Sequence, residues 1–358
     1  MAYSGLGTGT QVDPYQVTTL YQLLECFEIY NSEPGVSGQA LDVYCKLMND
    51  IDFNDYPEYW DCPENMFYAN NRRKLAHQDI WNSIHINGNN HGIYNIYTFN
   101  KINVFGFYSS GSSEQNHILI SNCIIEAVVL YTITTNGVFG SFIATNTGAY
   151  STSYNSGVYF DNCDMRIKYY RYASVTSYSK LFNFTRFRNC IINIDLIVNG
   201  DTYAANNTSR EAILATYNTE TSYYAHYYNE WNIKVIALAG NQYYSIALFG
   251  GNMHYFSSFF IEFLAKANYC DFAFNSSGSS DNANGINNCY LVITNKHTTY
   301  KSNITLNFKK YGINFYDSQV NPGYITDSSS GNGQLYSLTT NQCKDAEYLE
   351  SIGFIIAR

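Results

Sequence analysis

The side chains able to do chemistry in this chain are few. Asp50 and Asp52 stand two apart on an alternating stretch and share a face, with Asp55 close behind. That arrangement suits half of a glycosidase carboxylate pair or a calcium site. The competing reading makes Asn49-Asp50-Ile51-Asp52 a corner whose carboxylates accept backbone N–H groups, and this is the reading preferred. Asp161, Asp164, Asp195, Glu230, Glu262 and Asp271 lie in or beside strand-like phrases. Two of them in a lateral groove would make a polysaccharide depolymerase, but no spacing singles out a pair, and solvated outward carboxylates are the ordinary case. His85 and His91 flank an Asn-Gly-Asn-Asn turn without a third ligand at fixed spacing, so no metal is expected. Phosphate-loop, dinucleotide and nucleophile-elbow motifs are absent. The sequence therefore predicts no catalytic residue, no metal and no cofactor.

Contact chemistry is better represented. Trp60 and the basic run Arg72, Arg73 and Lys74 fall in a non-repetitive insertion over 54–79, the best candidate contact surface; for the basic run a solvated loop is the reading preferred, with docking to an acidic neighbour the sharper alternative. Tyr169, Tyr170, Tyr172, Tyr223, Tyr224, Tyr227, Tyr228, Tyr243 and Tyr244 cluster in segments expected to be loops or outer strand faces. Tyrosine gives contact area and a hydroxyl at low entropic cost, which suits a glycan or a protein; stacking between repeats is the equal alternative.

What must position these groups is a repeat. Asn-Cys followed by alternating aliphatics occurs at Asn122-Cys123, Asn162-Cys163, Asn189-Cys190 and Asn288-Cys289, and Asn229-Glu230-Trp231 reads as a fifth copy with Trp in the Cys slot. A second phrase, aliphatic-Phe-small, recurs at Val104-Phe105-Gly106, Val138-Phe139-Gly140, Leu181-Phe182-Asn183, Leu248-Phe249-Gly250 and, more loosely, Phe272-Ala273-Phe274. Short alternating strands recurring at such intervals predict a stacked solenoid. Asn would pass amide hydrogen bonds from coil to coil, and Cys would fill the core beside it. These eight Asn and Cys residues are scaffold in this reading, with no thiol chemistry.

Composition agrees. Of 358 residues only 14% are charged, the formal charge is −9, and 36 are Tyr. The acidic balance argues against nucleic acid or an anionic membrane as partner, and no apolar run reaches the ~18 residues of a membrane span. All five prolines lie outside 64–320, as ladder-bound N–H groups require. At about 25 residues per coil that interval would hold roughly ten coils in a rod about 50 Å long. Nine cysteines without a C-x-x-C pair, and an N-terminus without a secretory pattern, predict synthesis in a reducing cytosol.

Thr19 and Gln22 have capping-box spacing ahead of Leu20, Leu23, Leu24 and Phe27, predicting a short helix over about 19–30 that covers the first coil. Residues 44–53 read as one strand, and 84–93 as strand, turn, strand. Thr339 and Gln342 repeat the cap spacing before Ala346, Leu349 and Ile352, and Gly353 sits at a C-terminal cap position. The predicted fold is all-β: a single right-handed parallel β-helix with short capping helices at both ends. Its divisions are an N-terminal segment and cap over 1–35, the β-helix over 36–325 and a C-terminal cap over 326–358.

Gly7-Thr8-Gly9-Thr10, Asp13-Pro14-Tyr15, Thr19-Leu20-Tyr21-Gln22-Leu23, the run Tyr44 to Phe53, Ile86 to Ile96 and Phe105-Gly106-Phe107 resemble, in that order, GLUG-type β-helix proteins, as does the ending Thr340 to Phe354. Such proteins occur among tailed-phage structural proteins and bacterial surface adhesins. The resemblance implies the right-handed β-helix and, with the missing signal, a non-enzymatic component of a tailed-phage virion, such as a tail appendage, spike or decoration protein. Its expected partners are other virion proteins and a host-surface glycan. Multiple copies per particle, as trimers among the options, are expected, with neither nucleic acid nor membrane insertion. A tailspike-type depolymerase is the alternative and a bacterial adhesin the third reading.

Overall fold

A computed structural model describes residues 2–32, 42–69, 82–99, 104–107, 116–131, 142–145, 157–171, 181–183, 185–198, 212–216, 226–237, 247–250, 253–264, 269–273, 285–295, 303–307, 310–318, 325–327 and 332–354. The chain divides into two compact units. The first comprises Met1–Val129, Gly140–Ile167 and Phe182–Cys190; the second comprises Leu130–Phe139, Lys168–Leu181 and Ile191–Arg358.

The first unit is built from three parallel sheets. One holds β1 (Tyr15–Val17), β2 (Asp42–Leu47), β5 (Asn82–Asn87), β8 (Asn116–Ser121), β11 (Gly157–Asp161) and β14 (Thr185–Arg188). Another holds β3 (Ile51–Asp52), β6 (Gly92–Phe99), β9 (Ile124–Tyr131) and β12 (Asp164–Arg171). The third holds β4 (Phe67–Ala69), β7 (Phe105–Phe107), β10 (Ile143–Thr145) and β13 (Phe182–Asn183). Each strand pairs with its counterpart in the next repeat rather than with its chain neighbour, the pattern a solenoid demands. Register turns alternation into columns: Ile86, Ile120, Phe160 and Phe187 are stacked partners, all buried. Phe67 and Phe105 stack at 4.7 Å in the third sheet.

The second unit repeats the scheme. One sheet runs through β17 (His226–Tyr227), β20 (Met253–Tyr255), β23 (Gly285–Asn287) and β26 (Lys310–Tyr311). Another runs through β15 (Ile191–Val198), β18 (Glu230–Ala237), β21 (Ser258–Phe263), β24 (Tyr290–Asn295), β27 (Ile313–Asp317) and β29 (Gln334–Leu338). β16 (Ala212–Thr216) pairs with β19 (Ala247–Gly250), and β25 (Asn303–Asn307) lies between β22 (Tyr269–Ala273) and β28 (Ile325–Asp327) and pairs with both. Ile194, Ile233, Ile261 and Ile293 are register partners and all buried. Each buried side chain of this size contributes about 1.5–3 kcal/mol of transfer free energy, so one such column rivals the net stability of a domain before entropy is subtracted.

Repeat length varies more than the uniform 25 residues expected. Asn122 and Asn162, on adjacent repeats, are 40 residues apart, whereas Cys289 and Asn314 are 25 apart. The stretch 44–53 is not one strand. It turns after Leu47, and its two halves, β2 and β3, join different sheets. The Asn-Gly-Asn-Asn turn between β5 and β6 is likewise a corner between parallel sheets, with Asn89 and Asn90 at φ 52° and 66°. Val138-Phe139-Gly140 lies outside the described residues; the strand paired with Phe105 and Phe182 is β10, through Ile143.

Helices form where the caps predict. α1 (Leu20–Ser32) buries Leu20, Leu23, Cys26, Phe27, Ile29 and Tyr30, and the Phe27 ring meets Phe67 at 5.6 Å. Its cap is split. Gln22 N–H donates to Thr19 Oγ1, while Gln22 Oε1 accepts from the Thr18 N–H rather than from Thr19. At the other end a complete capping box between Thr339 and Gln342 opens α2 (Thr340–Lys344). Asp345 then caps α3 (Ala346–Ser351) through the Tyr348 N–H, so the C-terminal cap is two short helices. Gly353 closes it at φ 84°. Cys343 and Leu349 pack with Phe315 and Leu338. Among the described residues no helix is long and apolar enough to cross a membrane.

Candidate functional site: an aromatic track and cleft in the second unit

The Asn-Cys corner explains itself in atomic terms. Asn122, Asn162, Asn189 and Asn288 have φ between 50° and 54°, a left-handed conformation that Asn tolerates better than other residues with a Cβ. In the first unit their amides form a ladder. Asn122 Nδ2 donates to Asn87 Oδ1 at 3.2 Å and Asn162 Nδ2 to Asn122 Oδ1 at 2.8 Å. Asn189 Nδ2 turns instead to Asp161 Oδ1 at 3.1 Å. The adjoining Cys123, Cys163, Cys190 and Cys289 are all at most 3% exposed. Burial pushes the Cys123 and Cys289 thiols up to about 12, the opposite of what a nucleophile needs.

In the second unit the same corner changes chemistry. Register pairs Ile191 with Glu230, Glu230 with Ser258 and Ser258 with Tyr290. Tyr228 and Phe256 therefore occupy the Asn slot, at φ 56° and 50°, and Asn229 and Ser257 occupy the Cys slot. Trp231 is not the Cys equivalent that Asn229-Glu230-Trp231 suggested. It pairs with Ile192 and Phe259 as an interior strand residue and is fully buried. With the amides gone, rings make the ladder. Tyr228 stacks on Phe256 at 5.2 Å and 12°, and Tyr227 on Tyr255 at 4.9 Å and 9°. Tyr228 is 47% exposed. This is an aromatic track along a rigid edge, held by left-handed backbone that neither residue prefers.

The track runs into a cleft of about 320 Å³ beside the C-terminal cap, lined by Phe256, Tyr290, Phe315 and Phe354, with Ser257, Ser258, Asn288 and Lys344 as its polar groups. Tyr290 stacks on Phe315 at 4.6 Å, and Phe354 meets Phe315 edge-on at 4.6 Å. Burial, with Cys343 and Asp317 nearby, holds the Tyr290 phenol well above its usual value, so it stays neutral, and it hydrogen-bonds with the Cys343 thiol. Asn288 Oδ1 accepts from the Ile313 N–H at 3.4 Å, and Ser257 Oγ donates to Tyr255 O at 3.0 Å, which fixes both side chains. The size and lining, apolar walls with a few placed polar groups, are those of a small-ligand site. The sequence signal for it was present: Tyr228-Asn229 and Phe256-Ser257 are corner phrases with aromatic and small residues in place of Asn and Cys.

The carboxylates are engaged structurally. Asp50 Oδ1 accepts from the Gly92 N–H at 2.9 Å and meets His91 Nδ1 at 3.3 Å. Asp52 Oδ1 accepts from Asn54 N–H at 2.9 Å and Asn95 Nδ2 at 2.8 Å. The Arg188 guanidinium grips both oxygens of Asp161, at 3.1 and 2.5 Å, and holds its carboxyl below the usual range. Arg166 binds Asp164 Oδ2 through two nitrogens. In the second unit Asp195, Lys234 and Glu262 are register partners on three adjacent strands and so share one face of the sheet. Glu230 Oε1 accepts from Asn232 Nδ2. The Asp271 side chain lies outside the described residues.

Of the remaining candidates, His85 stacks on Tyr44 at 4.2 Å and lies 3.8 Å from Asp42. No three His, Cys, Asp or Glu side chains converge as a metal site among the described residues. Trp60 is 67% exposed and stacks on Tyr97 at 5.8 Å and 14°. It follows the turn Pro57–Tyr59, and the hydroxyl of the neighbouring Tyr56 accepts from the first N–H of α1 at 3.0 Å. Tyr169 is a correction. It is 1% exposed, because alternation in β12 sends it inward with Met165 and Ile167, and only Tyr170 stays half-buried. Arg72, Arg73, Lys74, Tyr172, Tyr223, Tyr224, Tyr243 and Tyr244 lie outside the described residues.

No protein-family model matches the chain, and no curated protein matches it. Among solved structures it is similar to one described as that of a "putative immunoglobulin A1 protease" from Bacteroides ovatus, at 13% identity and a TM-score of 0.34, over 97% of this chain and 90% of that one. At that score the likeness carries no argument about fold or activity.

Proposed function

We propose that the chain is a GLUG-type right-handed parallel β-helix that works without catalysis, as a structural component of a tailed-phage virion presenting a rigid surface for attachment to host glycans. The observation that supports this reading most is the change of corner chemistry, from an amide ladder in the first unit to a half-buried Phe256 stacked on an exposed Tyr228 in the second. A scaffold under packing constraint alone has no need to replace Asn with rings at positive φ. Exposed rings on a stiff edge are what sugar faces pack against. The buried thiols suit folding in a reducing cytosol, and partners in the particle would dock on the Trp60 side or on the outer strands.

The test is mass spectrometry of density-purified particles made by cells carrying the gene, together with retention of the purified chain on host-surface glycan. Presence in the particle at several copies, with glycan retention, is expected. Absence from particles would overturn the virion assignment, and absence of retention would overturn attachment.

A further inference from the structure

We infer that the cleft beside the C-terminal cap is a subsite for one carboxylated pyranose residue, a uronic or sialic acid type sugar, with Lys344 as the group that selects the acid. The inference rests on the attachment reading above and narrows it to a place and a ligand class.

A pyranose has apolar C–H faces and an equator of hydroxyls, and the cleft offers both complements. Phe256, Tyr290, Phe315 and Phe354 supply its aromatic surface. Three of those rings are held by stacking or edge contacts at 4.6 Å, so little side-chain entropy remains to be lost on binding. The Ser258 hydroxyl and the Asn288 amide provide donors and acceptors for hydroxyls. The volume of about 320 Å³ suits a single ring rather than a chain.

Charge sets the class. The chain carries −9 overall, which works against any anionic ligand at long range. Lys344 is exposed at the last turn of α2, on the rim of this cleft, and no ion pair among the described residues engages it. By contrast Arg166 and Arg188 are committed to Asp164 and Asp161. A flexible ammonium beside an otherwise aromatic, neutral cavity pairs with one carboxylate at the ring's edge. A neutral sugar would gain the rings and leave this group unused.

The test uses the full chain on an array of pyranose oligosaccharides presented with and without carboxylates, uronic and sialic acids both included. Carboxylated members should be held about fivefold or more tightly than their neutral counterparts, and the preference should fade with added salt. Lys344→Gln should abolish the preference, so that acidic and neutral members are held alike, with the melting temperature unchanged. Phe256→Asn should weaken both classes. It places at this corner the residue that other repeats use at positive φ, so the fold is retained. Equal retention of acidic and neutral sugars, or a preference that survives Lys344→Gln, would overturn the inference and leave the attachment reading intact. Retention of no sugar at all would overturn both.

Discussion

At the scale of the residue, the protein's decisive device is one backbone conformation used with two side-chain chemistries. Asn162 satisfies positive φ and donates its amide to the preceding repeat; Phe256 accepts the same φ and spends its ring on Tyr228. The two terms in the Asn corner are separable. Asn162→Gly keeps the left-handed geometry and loses the amide bond, whereas Asn162→Ala loses the bond and also forces a Cβ into the left-handed region at about 1–2 kcal/mol. Urea unfolding should therefore rank wild type above Asn162→Gly and Asn162→Gly above Asn162→Ala. Equal losses would mean that the backbone conformation carries no cost here. The Asn-Cys pairs were legible from the sequence because Asn at a repeated corner is nearly a signature of that φ. Tyr228 and Phe256 were not, because nothing in an aromatic residue announces left-handed backbone. The same blindness put Tyr169 on the surface: an aromatic cluster says contact, and only the phase of β12 says inward.

At the scale of the element, short strands depend on their ends. α2 and α3 cover Phe315 and Leu338 through Cys343 and Leu349, and the capping box at Thr339 holds their entrance. Thr339→Ala should cost about 1 kcal/mol. Hydrogen exchange should quicken across 340–351 while amides of β5, β8 and β11 in the first unit keep their protection. Uniform quickening would mean that the cap acts on the whole chain at once. Both caps were readable because Thr-x-x-Gln marks a helix start by a local hydrogen-bond requirement, independent of what the helix packs on. The break of 44–53 into β2 and β3 was not readable, since alternation continues through the corner and only the change of sheet reveals it.

At the scale of the whole molecule, buried titratable groups set the range of pH in which these ladders hold. Burial pushes His117 down to about 3, with Asp42 opposing and His85 adding to the effect, and burial likewise pushes His254 well below its usual value, with His226 adding. Between about pH 6.5 and those values the unfolded chain binds protons that the folded chain refuses. Stability therefore falls as pH drops, by up to about 1.4 kcal/mol per pH unit for each such histidine. The thiols act on the other side. Cys123 and Cys289, held near 12, keep protons that an unfolded chain releases above about 9, so stability also falls as pH rises past that point. Urea midpoints should form a plateau between roughly pH 6.5 and 9 with losses on both sides, and His117→Leu should make the acid limb shallower. An acid limb unchanged in that variant would assign it to other groups.

Holding glycans without cutting them is tested by incubating the purified chain with host-surface polysaccharide and titrating new reducing ends while following retention of the chain on the same polymer. Retention that Phe256→Asn weakens is expected, with no reducing ends above the buffer control. Release of reducing ends that disappears in Asp195→Asn or Glu262→Gln would contradict it, and would make the outer strands of the second unit a cutting site.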